Sequence, residues 1–365
     1  MRVLQLAKRS VTLLAVLSFA LTGCSGDSGP DVPFNPAGTS ADLEAVNAAY
    51  GSSAFVSFSA MSYLFDGAFT GAPLISSSAA AIDIKAMNAG GIRAGAVRSA
   101  KQLAGILSAG RHKAFSAPPT GMAIPAEVAG KTYEYSGGTY VPTDRTGAPS
   151  NGVRFLLYAV DPVTFQPVEP LVETGYVDIT DLSAGTTQSV RLEVVSGNVT
   201  YIEYTVAANN TTGSISVIGF VSDGTHQANL NISATVSSNG LTLVYGLAVP
   251  QRDVSINLRL TASDIDVESG IIDIVISMSG PHGTVSMTGQ FTATGATLTV
   301  RTGGTTFATI TVTGTAEPVI TGADGQPISD EDAAALVGIF ELTSQAFGAF
   351  DQLLTPVSFF LAPAA

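Results

Sequence analysis

Apolar residues recur along this chain with two different periods, and the change of period divides it. In the first part Leu43, Val46, Tyr50, Ala54, Phe58, Met61 and Phe65 follow one another at steps of three or four. That spacing gathers side chains on one face of a helix. Thr39 with Asp42 three residues on has the form of a capping box, which starts the helix at Thr39. Gly51 falls inside the pattern and weakens a single unbroken helix. A second helix is predicted from Ala79 to Asn88, ended by Gly90-Gly91. A third runs from Ile92 to Ser108, with Ala96, Ala100, Leu103 and Leu107 on one stripe and Gly110 just past its end.

Pro118, Pro119, Gly121 and Pro125 then mark a linker, placed over residues 117–130. Beyond it the period becomes two. Leu230, Ile232, Ala234 and Val236 alternate with Asn229, Asn231, Ser233 and Thr235. Val254, Ile256, Leu258 and Leu260 alternate with polar residues in the same way, as do Ala308, Ile310 and Val312. Alternation of this kind belongs to antiparallel strands with one face buried and one face wet. Ser136-Gly137-Gly138, Ser222-Asp223-Gly224, Ser238-Asn239-Gly240 and Thr302-Gly303-Gly304 supply turns between such runs. Roughly a dozen strands are expected between Lys131 and Ile320, at the ~8–12-residue spacing of sandwiches and barrels. With no helical pattern between them, the strands should join by hairpins into a meander.

Ser329 and Asp332 form a second capping-box pattern. Leu336, Phe340, Thr343, Phe347, Phe350 and Leu354 follow one stripe, and Pro356 is expected to stop the helix. Val357 to Leu361 would then add a last strand. The fold class is therefore α+β, mainly an antiparallel β-meander that is a curved sheet, a sandwich or a partial barrel. An N-terminal helical segment (39–116) and a C-terminal helix with its tail (328–365) pack on the β region (131–327).

The first residues have a different character. Arg2, Lys8 and Arg9 precede an uncharged apolar run from Val11 to Leu21, and Leu21-Thr22-Gly23-Cys24 follows. This is the layout of a secretory signal over residues 1–23. The run is about half the ~20 residues that span a bilayer. Leu21-Thr22-Gly23-Cys24 resembles the lipobox of bacterial lipoproteins, a likeness confined to the first two dozen residues. The resemblance implies that Cys24 is acylated and becomes the first residue of the mature chain, a lipid attachment to the membrane. Stable anchoring needs two or more acyl chains. Ser25 stands where an aspartate would resemble an inner-membrane retention signal, so the outer membrane is favoured. Cys24 is the chain's one cysteine, so it forms no internal disulfide. Residues 24–38 are small, polar and rich in Gly and Pro, the composition of a flexible tether.

Charge adds one exclusion. The leader carries three basic and no acidic residues, so the remainder holds 13 basic against 29 acidic, net −16. A surface of that sign is unsuited to nucleic acid, which needs a basic footprint. The imbalance lies wholly beyond Lys131, with six arginines against 22 acidic residues. Before it, Lys85, Arg93, Arg98, Lys101, Arg111 and Lys113 form a run without an intervening acid. Such a run fits either anionic headgroups or the acidic β region.

Candidate chemistry is sparse. His112, His226 and His282 are widely separated and show no ligand spacing, so no metal is expected. Asp264, Asp266 and Glu268 alternate like calcium ligands, but glycine is displaced to Gly270 and Val275 stands at position twelve. Asp324, Asp330, Glu331 and Asp332 read as a turn and an acidic first helical turn. No nucleophile elbow, Ser-x-x-Lys pair or dinucleotide fingerprint occurs, so neither a catalytic residue nor a cofactor is assigned. Spacing leaves paired carboxylates open. The expected role is binding or structural, with an envelope protein or a hydrophobic ligand as partner. Phenylalanines flank the sheet: Phe55, Phe58, Phe65 and Phe69 before it, Phe340, Phe347, Phe350, Phe359 and Phe360 after it. They either fill the core or line a cavity between helices and sheet. The second layout looks like that of half-barrel lipoprotein carriers of the envelope, and Phe55, Phe58, Phe65, Phe340, Phe347 and Phe350 are its candidate ligand contacts.

Overall fold

A computed structural model describes residues 34–50, 53–64, 123–161, 164, 166–209, 211–237, 240–263, 271–292, 294–313 and 318–361. The helices predicted over residues 79–108, the basic run, His112, Cys24 and Asp264–Glu268 lie outside them.

Helix α1 spans Pro36–Tyr50 and α2 spans Ser53–Leu64. Gly51, which weakens a single unbroken helix in the sequence, lies between these two helices and outside the described residues. The start differs from the capping box predicted at Thr39. Asn35 is the cap, its Oδ1 accepting the Gly38 N–H at 2.9 Å, and Pro36 opens the first turn. Proline suits that position because its missing N–H would be unpaired there anyway. Of the predicted apolar stripe, Leu43, Ala54, Phe58 and Met61 are buried, while the side chains of Val46, Tyr50 and Phe65 lie outside the described residues.

Fifteen strands follow among the described residues. They are β1 (Lys131–Ser136), β2 (Thr139–Thr143), β3 (Gly152–Tyr158), β4 (Glu173–Asp181) and β5 (Thr187–Ser196). Next come β6 (Val199–Asn209), β7 (Ser214–Ser222), β8 (Gln227–Ser237), β9 (Gly240–Val249) and β10 (Val254–Ala262). The last are β11 (Ile272–Gly280), β12 (Gly283–Phe291), β13 (Gly295–Thr302), β14 (Thr305–Thr313) and β15 (Val319–Gly322). From β3 to β15 each strand pairs antiparallel with its successor, giving one curved, unclosed sheet. Gly137-Gly138 and Gly303-Gly304 turn two of the hairpins with positive φ at both positions, a geometry that strongly favours glycine.

The meander has one exception. β1 lies between β2 and β3 and runs parallel to β3, with Tyr133 opposite Phe155. The residues between β2 and β3 carry the chain back so that the β1–β2 hairpin caps this end. The two sheet edges are short: β15 has four residues, and β2 has five including Pro142. Short strands and proline discourage pairing with another chain.

The alternation read from β8, β10 and β14 is that of the folded chain. One buried row runs straight across ten strands, from Val190 and Val206 through Ile232, Tyr245, Leu258 and Ile276 to Val300 and Ala308. β3 does not alternate. Val153, Phe155, Leu156, Leu157 and Tyr158 are all buried there, so both its faces are covered.

The C-terminal helix, α3, spans Asp330–Leu361. Ser329 caps it as predicted: its Oγ accepts the Asp332 N–H at 3.1 Å and donates to the Asp332 carboxylate at 2.7 Å. The predicted stop at Pro356 and the final strand are not found, because α3 continues through proline to Leu361. An interior proline costs roughly 3 kcal/mol. Val357, Phe360 and Leu361 beyond it are buried, and each such side chain contributes about 1.5–3 kcal/mol. Burial of the last turn outweighs the lost backbone bond. α1 packs on α3 and against β7 and β8, while α2 packs on α3 and against β3, β5 and β6. No helix among the described residues is long and apolar enough to cross a membrane.

Candidate functional site

α2 does not fill the space beneath it uniformly. Phe55, Phe58 and Met61 enter the core, and the Phe55 and Phe58 rings lie 6.2 Å apart. The start of the same helix presents Ser53, Ala54, Val56 and Ser57 to a cavity of about 310 Å³ that is half open to solvent. The opposite wall comes from the end of β3 and the residues after it (Leu157, Ala159 and Val160), from Thr174 on β4 and from Ser196 on β5. The volume is at the lower end of the ~300–1,000 Å³ typical of ligand pockets.

Two causes open this space. The first is side-chain size, since serine and alanine stand where larger residues would reach the sheet. The second is the backbone. The ladder shifts register between Leu157 and Tyr158 in the β3–β4 pair, and between Val194 and Val195 in the β5–β6 pair. Bulges bend a strand and re-aim the side chains beyond them. Both fall at the cavity's end of the sheet. Gly175 lets β4 and β5 approach closely, because a Cβ there would stand 2.1 Å from the Val195 carbonyl oxygen.

The lining is apolar with hydroxyls. Ser196 Oγ donates to the Thr174 carbonyl at 2.5 Å. The Thr174 hydroxyl is buried and has no hydrogen-bond partner among the described residues. None of these lining residues is ionisable.

Of the phenylalanines singled out from sequence, Phe55 and Phe58 are buried in the core cluster, and neither is among the cavity's described walls. Phe340, Phe347 and Phe350 lie on α3, with side chains outside the described residues, as is Phe65. Apart from Ala54, read only as part of the apolar helix stripe, the cavity's residues escaped the sequence reading. Their one signal is the cluster Ser53-Ala54 and Ser57, small residues on the helix that also buries Phe55, Phe58 and Met61.

Other polar groups are engaged structurally. His226 Nδ1 lies 3.2 Å from Asp223 Oδ2, and Asp223 accepts the N–H groups of Thr225 and His226 at 2.7 and 2.6 Å. Those backbone donors, His226 first, hold the Asp223 carboxyl below its usual range. His282 Nδ1 is 3.2 Å from Asp42 Oδ2, joining the β11–β12 turn to α1. Gln326 donates its N–H to Asp324 Oδ1 at 3.0 Å within the turn before α3. On the outer face Asp178, Glu193 and Glu203 occupy facing positions on β4, β5 and β6. Arg154 grips Asp178 through two bonds of 2.7 and 2.6 Å while lying 3.7 Å over the Tyr176 ring. Arg191 reaches Glu193 at 2.7 Å and Glu203 at 3.4 Å. Among the described residues no group of three or more His, Cys, Asp or Glu side chains is placed to hold a metal ion.

No family model, curated protein or solved structure matches this chain.

Proposed function

We propose that this chain is a lipid-anchored protein of the cell envelope whose folded part binds or supports rather than catalyses. The observation that carries the reading is the order of three zones: basic residues at 2, 8 and 9, an apolar run from Val11 to Leu21, and Leu21-Thr22-Gly23-Cys24. Signal peptides have this order, and a cysteine at the cleavage point supplies the acylation site. The short apolar run argues for cleavage over retention as a spanning helix. A small, polar, Gly/Pro-rich segment then separates the anchor from α1, as a tether should. Ser25 favours the outer membrane. The test is membrane fractionation of the Cys24→Ala variant. Loss of processing, or release of the protein to the soluble fraction, is expected. A variant that is cleaved and sediments with membranes as before would overturn the proposal.

The cavity beneath α2 favours a second reading, that the folded part carries a hydrophobic ligand. The described lining of this half-open space is mostly apolar, as in ligand pockets. Mass spectrometry of organic extracts from natively purified Cys24→Ala protein tests it. A stoichiometric lipid or other apolar molecule supports the carrier. A clean extract leaves the structural role.

A further inference from the structure

We propose that the rim of the sheet carrying the β3–β4 and β5–β6 connections lies against the zwitterionic surface of the bilayer that holds the anchor. The inference rests on the reading of Cys24 as the lipid attachment, and it gives the folded part an orientation that this reading leaves open. In the meander from β3 onward, every second connection falls on one rim: β3–β4, β5–β6, β7–β8, β9–β10, β11–β12 and β13–β14. The chain enters the fold at that rim. The Phe34 ring lies 5.0 Å from the ring of Phe307 near the start of β14, and Gly38 lies against the His282 ring in the β11–β12 turn. Phe34 follows Cys24 by ten residues, which reach at most about 35 Å even when fully extended.

Farther along the same rim three valines are exposed together. Val168 is 45% exposed, Val172 55% and Val199 42%. The backbone makes them neighbours. The Val168 N–H donates to the Ala159 carbonyl, and the Ala159 N–H donates to the Val172 carbonyl, both at 2.9 Å. Val199 pairs with Ser196, whose hydroxyl reaches the carbonyl of Thr174, two residues past Val172. Gly197 and Asn198, which turn β5 into β6, add no charge. On the opposite rim Leu182, Ile271 and Val319 are exposed at the ends of β4, β11 and β15, strands that are not neighbours. Apolar residues scattered singly need no partner, whereas a patch does. Three valines hold a free protein to lipid only weakly, but an anchor makes the contact intramolecular, so weak contact suffices. Charge selects the headgroup. Asp324, Asp330 and Glu331 are exposed where β15 gives way to α3, on the side where the chain enters. An anionic leaflet repels such a corner, and a zwitterionic one does not.

The experiment uses the mature chain held in phosphatidylcholine vesicles by its own anchor, with one nitroxide label on an added cysteine. Cys24 is the only cysteine, and lipid occupies its sulfur, so the label has a single site. Val172→Cys and Val199→Cys put the label on the rim. Thr211→Cys puts it past the far end of β6, which spans Val199–Asn209. Collisions with oxygen, which concentrates in lipid, are compared with collisions with a water-soluble nickel chelate. The oxygen-to-nickel ratio should be several-fold higher at both rim positions than at the far end. Val168→Glu with Val199→Glu should bring the Val172→Cys label down to the far-end ratio. The same label on the soluble Cys24→Ala chain, without vesicles, should show no excess. Equal ratios in acylated, vesicle-bound protein, a higher ratio at the far end, or an excess that persists without vesicles would overturn the orientation. The anchor reading fails differently, with an unacylated Cys24 and no protein in the vesicles, and that outcome overturns both.

Discussion

The Tyr204 hydroxyl on β6 donates a hydrogen bond to the backbone carbonyl of Leu353 on α3, joining residues 149 positions apart in the sequence. Tyr204 is among the largest fully buried side chains, and Leu353 and Leu354 beside its partner are also buried. The bond fixes the depth at which α3 sits on the sheet, three residues before Pro356 interrupts the helix's own ladder. Tyr204→Phe should lower stability by about 0.5–1.5 kcal/mol with the denaturant slope unchanged. Urea unfolding measures it, and an unchanged midpoint would show that α3 does not depend on this tie.

Burial gives the tyrosines a signature at alkaline pH. Desolvation raises Tyr133, Tyr158 and, more strongly, Tyr140 and Tyr204 above the ordinary phenol range. Below about pH 10 these phenols keep their protons in both folded and unfolded chains and contribute no pH dependence. Above it the unfolded chain releases protons that the folded chain retains, so stability falls as pH rises. Absorbance titration should leave at least Tyr140 and Tyr204 protonated well above pH 10 until the chain unfolds. Smooth ionisation of all ten without unfolding would contradict this burial.

α1 meets the β11–β12 turn at very short range. A Cβ on Gly280 would stand 2.5 Å from Asp42 Oδ2, and one on Gly38 would meet the His282 ring. Gly280→Ala should therefore destabilise the chain by about 1–3 kcal/mol. In an Asp42→Ala background the same change should cost markedly less, as expected for residues in contact. Additive effects in that double-mutant cycle would place α1 farther from the turn.

The two faces of β10 should respond differently to mutation. Ile256 is buried between Leu247 and Met278, whereas Ser255 is half-buried on the other face. Ile256→Ala should cost about 2–5 kcal/mol. Ser255→Thr should change stability by less than about 0.5 kcal/mol. Equal costs would mean that the sheet buries both faces there.

That contrast also explains what could be read from the sequence. β8, β10 and β14 were legible because one face is wet, and Asn, Ser and Thr therefore punctuate every second position. β3 was not, since a strand covered on both sides loses its period. The parallel pairing of Lys131–Tyr133 with Val153–Phe155 depends on how the β1–β2 hairpin folds back, which no local pattern encodes. Pro356 misled because backbone preference favours a stop, while burial of Val357, Phe360 and Leu361 favours continuation. The cavity was hidden for a further reason. Large phenylalanines draw attention, but space is made by what is absent: Ser53, Ala54 and Ser57 on α2, and two bulges that leave no mark in composition.

The anchor is the claim on which the proposed role rests, and the N-terminal mass of the mature chain tests it most directly. Protein solubilised from membranes and digested should yield an N-terminal peptide beginning at Cys24, with a diacylglyceryl group on its sulfur. An N-terminus elsewhere, or an unmodified Cys24 thiol in membrane-derived protein, would contradict the account.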